Sequence, residues 1–267
     1  VSSQFISGLL FAAPLMESES TIEVLPPYES RSYVDLTLAA LQQFGVKVTA
    51  RARKNGSVLY RIAAPQRYTA CDLAIEGDYS QAAFLAVLGC VAGGITVTGL
   101  APDSRQGDKV ILDILKRCGG KIKTTSDGYA FARSLLRATE IDLADCPDLG
   151  PVLFTLGCFC SGETVIHNAG RLRMKESDRI EAMQTELQKM GARITVDGDD
   201  VHITGVALHA PEEPLSGHTD HRVAMALAVA ACAAGLPACI LGAGAVNKSW
   251  PAFWDVLRAL GGKVEWE

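Results

Sequence analysis

The amino-acid sequence predicts an α/β (α+β) protein made of repeated βαβαββ units, with buried helices under mixed sheets. Three observations support this prediction: a helix-ending pattern that occurs four times, a second and more apolar helix in each repeat, and the composition. Apolar residues make up 48% of the 267 residues and aromatic residues only 6%. Such a chain can fill well-packed cores of helices and sheets, and its length allows about two domains at roughly 150 residues each.

The helix-ending pattern recurs at a nearly constant period. Each copy has a leucine, two mostly polar residues, an apolar-leaning residue, a glycine, a short residue, a lysine or arginine, and a β-branched residue. The copies are LQQFGVKV (41–48), LKRCGGKI (115–122), LQKMGARI (187–194) and LRALGGKV (257–264), and their glycines lie 74, 72 and 70 residues apart. Each copy predicts an amphipathic helix that ends at a glycine and is followed at once by a strand. The constant period predicts internal repeats.

A more apolar helix is expected to precede each amphipathic one. The four stretches are Phe5–Leu15, Gln81–Ala92, Leu149–Cys160 and His221–Ala234. Because they are apolar on nearly all sides, they are predicted to be fully buried. A complete unit then reads strand, buried helix, strand, amphipathic helix, strand, strand, and both middle repeats are expected to contain all six elements.

The outer repeats are expected to be incomplete. The first begins at its buried helix, and the last stops at KVEWE before a closing strand. Since repeat folds need neighbours to cover faces and edges, we expect the functional protein to include residues before Val1; a naturally incomplete unit is the alternative. Residues 1–74 are predicted to be one remnant repeat of an N-terminal domain, and residues 75–267 a C-terminal domain of three repeats that lacks its last strand.

Charge and cysteine content exclude some classes of protein. With 25 basic and 30 acidic residues, the formal charge of −5 argues against a general nucleic-acid binder. Residues 81–102 and 223–241 carry no charge, but glycine and proline interrupt them, so each is expected to be a buried helix followed by a strand rather than a membrane span. None of the eight cysteines forms a CxxC pair. They are expected to be buried thiols in the reducing cytoplasm.

The starts of the apolar helices are unusually polar. They read VSSQ (1–4), EGDYSQ (76–81), CPDLGP (146–151) and HTDHR (218–222). Helix capping by Ser and Asp is the simplest explanation. Capping does not explain Arg222, because a cation at a helix N-terminus opposes the helix dipole. Another anion is therefore expected beside it.

Two further segments place basic residues before helices. These are RLRMKESDR (171–179) and GAGAVNKSW (242–250). If the helix reaches back to Lys175, this residue and Arg179 share one face. A solvated charged surface is one explanation. Basic side chains at converging helix N-termini would instead bind phosphate and carboxylate groups.

These segments also carry a resemblance that covers the whole chain. The words SSQF, SRSY, EGDYSQAAF, RQGD, PDLGPVLFTL, RLRMKESDR, TDHRVAMAL and NKSWPAFW occur in this order. In these words and their spacing the chain resembles the 5-enolpyruvylshikimate-3-phosphate synthase (3-phosphoshikimate 1-carboxyvinyltransferase) family. The related UDP-N-acetylglucosamine enolpyruvyl transferases share the repeat but not these sequence motifs.

The resemblance implies an enolpyruvyl transferase-type fold with six βαβαββ units in two domains. It also implies transfer of the enolpyruvyl group of phosphoenolpyruvate to the 5-hydroxyl of shikimate 3-phosphate, with release of phosphate, in aromatic amino acid (chorismate) biosynthesis. The reaction passes through a tetrahedral intermediate and uses no metal and no organic cofactor. The implied partners are these two small anions, with no nucleic acid and no membrane, and the full-length protein is implied to be a monomer.

The resemblance assigns roles residue by residue. Asp148 is the general base or the acceptor that orients the hydroxyl, Glu176 the proton donor to the methylene carbon, and Lys175 the bridge between the ligands. The residues implied to bind shikimate 3-phosphate are Ser2, Ser3, Gln4, Ser30, Tyr33, Asp148, Arg171 and Lys175. Those implied to bind phosphoenolpyruvate are Arg179, Arg222 and Lys248. Arg171 stands where some members have an asparagine.

The family's N-terminal basic residues and glycine-rich loop have no counterpart in this sequence and would lie before Val1. The chain alone is therefore expected to be inactive or very weak. Two alternatives stay open: a carboxyvinyl transferase acting on UDP-N-acetylglucosamine, and a non-catalytic remnant. Among the histidines, His167, His202 and His209 are expected to be ordinary, and His218 and His221 to border the cleft without a catalytic role.

Overall fold

The structure is a computed structural model, and it describes residues 3–266. The chain divides into two compact units. The first holds the residues up to Ile75 together with Asp103–Gly107, and the second holds Glu76–Pro102 and the residues from Asp108 onward. The assignment of residues 1–74 and 75–267 to two domains of a longer protein stays a prediction.

The first unit contains one three-stranded antiparallel sheet and two helices. The sheet has the order β1–β3–β2, and its inward side chains, such as Tyr60 and Ile62, pack with Leu10 and Leu41 of the helices. The elements are α1 (Ser3–Ala12), a 3-10 turn (Ala13–Leu15), β1 (Ser20–Val24), α2 (Arg31–Gln43), β2 (Val48–Ala52) and β3 (Val58–Ile62).

The prediction of a fully buried helix over Phe5–Leu15 is wrong. Helix α1 buries one face only, through Ser3, Ile6 and Leu10, whereas the side chain of Phe5 is 69% exposed. The buried face packs on α2, where the hydroxyls of Ser7 and Thr37 lie 2.7 Å apart. The described residues of this unit form no second layer over the other face, and this is why an all-round apolar helix is half-covered here.

The second unit contains the three following repeats. Their helices are α3 (Tyr79–Val91), α4 (Ile111–Arg117), α5 (Gly150–Phe159), α6 (Arg179–Lys189), α7 (His221–Ala234) and α8 (Phe253–Ala259). Their strands are β4 (Ile95–Thr98), β5 (Lys121–Thr125), β6 (Gly128–Ala132), β7 (Glu140–Asp142), β8 (Glu163–His167), β9 (Arg193–Asp197), β10 (Asp200–Thr204), β11 (Leu215–Ser216) and β12 (Ile240–Leu241). Four 3-10 turns connect them: Gly107–Val110, Pro147–Leu149, Ala169–Met174 and Ala243–Lys248.

The strands of this unit form three sheets, one of which is clearly mixed. The first is antiparallel, with the order β4–β6–β5, and the third is a parallel pair of β11 and β12. The second has the order β7–β8–β10–β9, in which β7 runs parallel to β8 and the other pairs are antiparallel. The mixed α/β architecture follows the predicted fold class.

Helices α3, α5 and α7 form the core of the second unit, as predicted. Every residue of α5 except Phe159 is buried. The helices approach one another and the sheets closely. The hydroxyl of Thr155 donates to the carbonyl of Ala226 at 3.0 Å. A Cβ on Gly157 would lie 2.9 Å from the side chain of Ile203 on β10, so only glycine allows this helix-to-sheet distance.

The helix-ending glycines behave as predicted in all four repeats. The strand expected directly after the glycine is wrong for the last repeat, because residues 262–266 have no ladder partner among the described residues and form no strand. Helices α2, α4, α6 and α8 are each followed within two residues by a glycine in the left-handed region. The φ values are 81° for Gly45, 88° for Gly119, 86° for Gly191 and 96° for Gly261. Since other residues rarely adopt this conformation, these positions explain why the pattern recurs.

The opening strand expected in the second repeat is absent from the described residues. The stretch before α3 has no ladder partner, and its apolar side chains Leu73 and Ile75 are 42% and 84% exposed. A strand gains little where its apolar face is not covered. The third repeat does contain all six elements. Among residues 3–266, no helix combines the length and apolar character needed to cross a membrane.

Candidate active site

The candidate site lies where the N-terminal ends of α3, α5 and α7 meet the start of α6. Aspartate caps fix three of these helix starts. Asp78 accepts from the amide of Ser80 at 2.7 Å, and Asp220 accepts from the amide of Arg222 at 2.9 Å. Asp178 accepts from two amides at the start of α6, each at 3.1 Å. Capping is thus part of the reason for the polar helix starts.

Asp148 is the central carboxylate. It lies in the 3-10 turn before α5, and its Oδ1 is 3.2 Å from Lys175 Nζ and 3.5 Å from Arg179 Nη1. Its Oδ2 is 3.2 Å from Arg222 Nη2. Burial by itself would raise the pKa of Asp148, but the three cations outweigh it and lower this pKa to about 2. Asp148 is therefore ionised at neutral pH and can only accept hydrogen bonds.

Arg222 connects three helix starts. Its guanidinium donates to the carboxylate and, at 3.2 Å, to the backbone carbonyl of Asp148, which precedes α5. The same group donates to the hydroxyl of Ser80 in the first turn of α3 at 2.9 Å. The anion that was expected beside Arg222 is therefore Asp148, and it offsets the unfavourable helix dipole.

Arg179 forms the most deeply buried ion pair of the site. The side chains of Arg179 and Asp220 are 1% and 0% exposed, and Nε lies 2.8 Å from Oδ2. Arg179 Nη2 also donates to Glu176 Oε2 at 2.8 Å, and Ser177 Oγ donates to Asp220 at 3.2 Å. A buried guanidinium is tolerated here because several carboxylate oxygens accept its protons.

Glu176 lies between Arg179 and Lys248. Lys248 Nζ is 2.5 Å from Glu176 Oε1. Burial would raise the pKa of Glu176, but the bond from Lys248 and the field of Arg179 lower it to about 2. The turn that carries Lys248 is held against α3, since Gln81 donates to the carbonyl of Ser249 at 2.7 Å.

His221 borders this cluster. Its Nδ1 lies 3.7 Å from Asp220 Oδ1 and has no hydrogen-bond partner among residues 3–266. Burial and the positive charge of Arg222 lower the pKa of His221, so the ring is neutral at neutral pH.

The structure brings together six of the predicted site residues: Asp148, Lys175, Glu176, Arg179, Arg222 and Lys248. The proposed helical register of Lys175 and Arg179 is wrong, because Asp178 caps α6 and Lys175 is extended. Both side chains still reach Asp148. With Asp220, the cluster has four cations and three carboxylates, a net charge of +1. Such a cluster can bind small anions and also offers carboxylates for proton transfer.

The other predicted site residues are described by their own elements. In the first unit, Ser3 and Gln4 begin α1, and Ser30 precedes α2, where its carbonyl accepts from the amide of Tyr33 at 3.3 Å. Ser2 lies outside the described residues. In the second unit, Arg171 belongs to the 3-10 turn Ala169–Met174. The binding roles of Ser3, Gln4, Ser30, Tyr33 and Arg171 stay predictions.

Sequence reasoning missed Asp220 and Ser80 as members of the cluster. A signal for Asp220 exists in the repeat period. Asp78, Asp148 and Asp220 lie 70 and 72 residues apart, each at the start of an apolar helix. Because equivalent positions of a repeat lie in equivalent places, a role for Asp148 points to its counterparts.

The described residues contain no group of three or more His, Cys, Asp or Glu side chains that could hold a metal ion. All eight cysteines are free thiols, and five of them are buried as expected. The expectation of burial is wrong for Cys71, Cys232 and Cys239, which are exposed.

The sequence matches the model of one protein family, EPSP synthase (3-phosphoshikimate 1-carboxyvinyltransferase), over residues 1–257. The chain belongs to this family. A 3-phosphoshikimate 1-carboxyvinyltransferase of Clostridium kluyveri is 43% identical over 271 residues, which cover 100% of this chain and 62% of that enzyme. The enzyme of the same name from Clostridium acetobutylicum is 42% identical over 272 residues, covering 100% and 61%. The chain thus spans about three fifths of the length of these curated relatives.

Solved structures confirm the enolpyruvyl transferase-type fold. EPSP synthase from Acinetobacter baumannii superposes with a TM-score of 0.77 at 24% identity, covering 97% of this chain and 60% of that one. The enolpyruvyl transferase NikO from Streptomyces tendae gives a TM-score of 0.74 at 19% identity, with the same coverage. At these identities the likeness concerns the fold.

Proposed function

We propose that this chain carries part of the active site of a 3-phosphoshikimate 1-carboxyvinyltransferase. This enzyme transfers the enolpyruvyl group of phosphoenolpyruvate to the 5-hydroxyl of shikimate 3-phosphate and releases phosphate. The observation that carries the proposal is the contact between two ionised carboxylates, Asp148 and Glu176, and four cations in a single cluster. The reaction needs both kinds of group, because protons move while negative charge is concentrated at the substrates.

Asp148 acts on the substrate hydroxyl in this proposal. An ionised carboxylate accepts the hydroxyl hydrogen bond and takes the proton as the oxygen attacks the central carbon of phosphoenolpyruvate. Lys175, at 3.2 Å from Asp148, stabilises that carboxylate and contacts the substrate anions. Arg222 fixes the other carboxylate oxygen and so orients it toward the hydroxyl.

Glu176 supplies the proton to the methylene carbon, and its environment explains when it can do so. Without substrate, Lys248 and Arg179 keep it ionised, with a pKa of about 2. The phosphate and carboxylate of phosphoenolpyruvate compete for the same two cations and for Arg222. When Lys248 turns to the substrate, the pKa of Glu176 rises, because a positive charge moves away and a negative one approaches. Glu176 then takes a proton from solvent and donates it to the methylene carbon. When the carbon–oxygen bond to phosphate breaks, Glu176 takes a proton back from the new methyl group, and Asp148 passes its proton to the departing phosphate.

The two substrates bind different sets of residues in this proposal. Phosphoenolpyruvate binds Arg179, Arg222 and Lys248, and shikimate 3-phosphate binds Ser2, Ser3, Gln4, Ser30, Tyr33, Asp148, Arg171 and Lys175. We also propose a cytoplasmic monomer whose partners are these small anions.

A phosphate-release assay tests the proposal. The chain is measured alone and joined to the part of the Clostridium kluyveri relative that it does not span, with phosphoenolpyruvate and shikimate 3-phosphate. In the joined protein, Asp148→Asn and Glu176→Gln should each lower kcat by about 10²–10⁴-fold, because each removes one proton-transfer group.

Glu181→Gln is the matched control, because Glu181 is an exposed glutamate in the first turn of α6. It should leave kcat unchanged. Turnover with UDP-N-acetylglucosamine instead of shikimate 3-phosphate would contradict the substrate assignment. Full activity of both carboxylate variants would contradict the catalytic one.

A further inference from the structure

The segment that leads into Asp220 and Arg222 has an unusual backbone. His218 and Thr219 have φ values of 49° and 54°. Both lie in the left-handed region, which is unfavourable for residues other than glycine and especially for a β-branched threonine. Two such residues in succession persist only where surrounding contacts hold them.

Glu186 on α6 provides those contacts. Its side chain is 2% exposed; Oε2 accepts from the amide of Ser216 and from Lys189 Nζ, each at 2.8 Å. Oε1 lies 3.0 Å from His218 Nε2. Burial would raise the pKa of Glu186, but the hydrogen bonds from Lys189, Ser216 and His218 lower it. As an ionised carboxylate only accepts, His218 must donate from Nε2.

One face of α6 therefore holds the segment at two points. Glu186 follows Arg179 by seven residues, about two helical turns, so both side chains leave the same face. Arg179 binds the carboxylate of Asp220 at 2.8 Å, and Glu186 binds Ser216 and His218. The left-handed residues are His218, which Glu186 contacts, and Thr219, which directly precedes Asp220; Arg222 follows Asp220 by two residues.

We propose that Glu186 and His218 are positioning residues that set the place of Asp220 and Arg222 in the site. The catalytic consequence rests on the proposed function. Loss of the Glu186–His218 contact frees the strained segment at one end, and the guanidinium of Arg222 then no longer has a fixed direction. The main expected effect is weaker binding of phosphoenolpyruvate. A smaller loss of proton transfer accompanies it, because Arg222 also contacts the carboxylate of Asp148.

Amide hydrogen exchange in the chain itself gives the first test. The amide of Asp220 donates to the carbonyl of Gly217 at 2.8 Å, and that of Arg222 to Asp220 at 2.9 Å. His218→Ala should speed exchange at both amides by about tenfold or more, since the local opening free energy falls. His218→Gln, which keeps a donor near the same place, should recover most of the protection.

His202→Ala is a matched control. His202 on β10 is 32% exposed and pairs with a glutamate at 3.5 Å, whereas His218 is 34% exposed and pairs with Glu186. The control should leave exchange at Asp220 and Arg222 unchanged. If His218→Ala fails to fold, Glu186→Gln replaces it, because this change keeps the side-chain volume. It should also speed amide exchange at Asp220 and Arg222, but by a smaller factor.

Kinetics give the second test, in the joined protein described above. His218→Ala should raise KM for phosphoenolpyruvate about tenfold and lower kcat by a smaller factor, because the contact of Arg222 with Asp148 is loosened as well. His218→Gln should restore KM. Wild-type exchange at Asp220 and Arg222 in His218→Ala, or an equal effect of His202→Ala, overturns the proposal. An inactive wild-type joined protein contradicts the proposed function instead, and the exchange result still decides the positioning role.

Discussion

At the scale of single residues, Asp220 is the most consequential side chain that has no assigned chemistry. It is fully buried and accepts from Arg179, from Ser177 and from the first turn of α7. A buried guanidinium without its carboxylate is far more costly than the pair itself is favourable. Asp220 therefore acts first on stability, and it affects the reaction only through Arg179 and Arg222.

Asp220→Asn should lower the free energy of unfolding of the second unit by about 3 kcal/mol, because the buried Arg179 loses its fully buried carboxylate partner and keeps only the more exposed Glu176 and Asp148. Urea unfolding followed by tryptophan fluorescence measures this change. All three tryptophans, Trp250, Trp254 and Trp266, lie in the second unit, so the signal reports on that unit.

Asp255→Asn is the control for that prediction. Asp255 pairs with Arg258 at 2.8 Å, but its side chain is 76% exposed. Its loss should cost less than about 1 kcal/mol, as is typical of surface pairs. Equal losses in the two variants would show that Arg179 finds solvent or another acceptor.

At the scale of elements, the sequence repeat predicts correctly the features that depend on nearby residues. The four helix-ending glycines, the buried helices α3, α5 and α7, and the complete third repeat all follow from residue patterns that act within one element. These residue patterns do not show which other parts of the protein pack against a given helix or strand. Helix α1 is as apolar as the other three, and its exposed face depends on neighbours that are distant in sequence.

The candidate site shows the same limit. Single residues such as Arg222 were identifiable because they break a local rule, and the expected compensating anion was found. Ser80 was not identifiable, because a serine at a helix start has a sufficient local explanation as part of a cap. Its contact with Arg222 spans 142 residues of sequence. Only the packing of α3 beside α7 creates that contact.

The helix-ending glycines give a prediction at this scale. Gly191→Ala should destabilise the second unit more than Gly261→Ala. Both need a left-handed residue, which costs a non-glycine residue about 1–2 kcal/mol. A Cβ on Gly191 would also lie 2.7 Å from the ring of His209, whereas nothing lies within 4 Å of one on Gly261. Urea unfolding of the two variants measures the difference, and equal losses would show that the exposed ring of His209 moves aside at little cost.

At the scale of the whole molecule, the ionised carboxylates of the site cause the free energy of unfolding to fall as the pH becomes acidic. The pKa values of Asp148 and Glu176 are lowered from 3.8 and 4.5 to about 2. A carboxylate whose pKa is lower in the folded state stabilises the fold above its unfolded pKa, and this contribution disappears as the pH falls toward the folded pKa. The loss therefore occurs between about pH 4.5 and pH 2.

We expect Asp148 to contribute about 2 kcal/mol to that loss, and Glu176 less, because it is more exposed to solvent. Unfolding free energies of the wild type and Asp148→Asn at pH 7, 4 and 2.5 measure this contribution. The variant should lose less stability than the wild type between pH 4 and pH 2.5. Parallel losses would mean that other carboxylates dominate the acid transition.

The three aspartates at repeat-equivalent positions have one more consequence. Asp78 caps its helix, Asp220 caps a helix and binds Arg179, and Asp148 contacts three cations. If these three aspartates had identical surroundings, a ligand could bind the cluster in several orientations of equal energy. Because the three aspartates have different partners, the internal symmetry of the repeats is broken at the cluster, and we expect a small molecule with different groups at its two ends to bind there in one orientation.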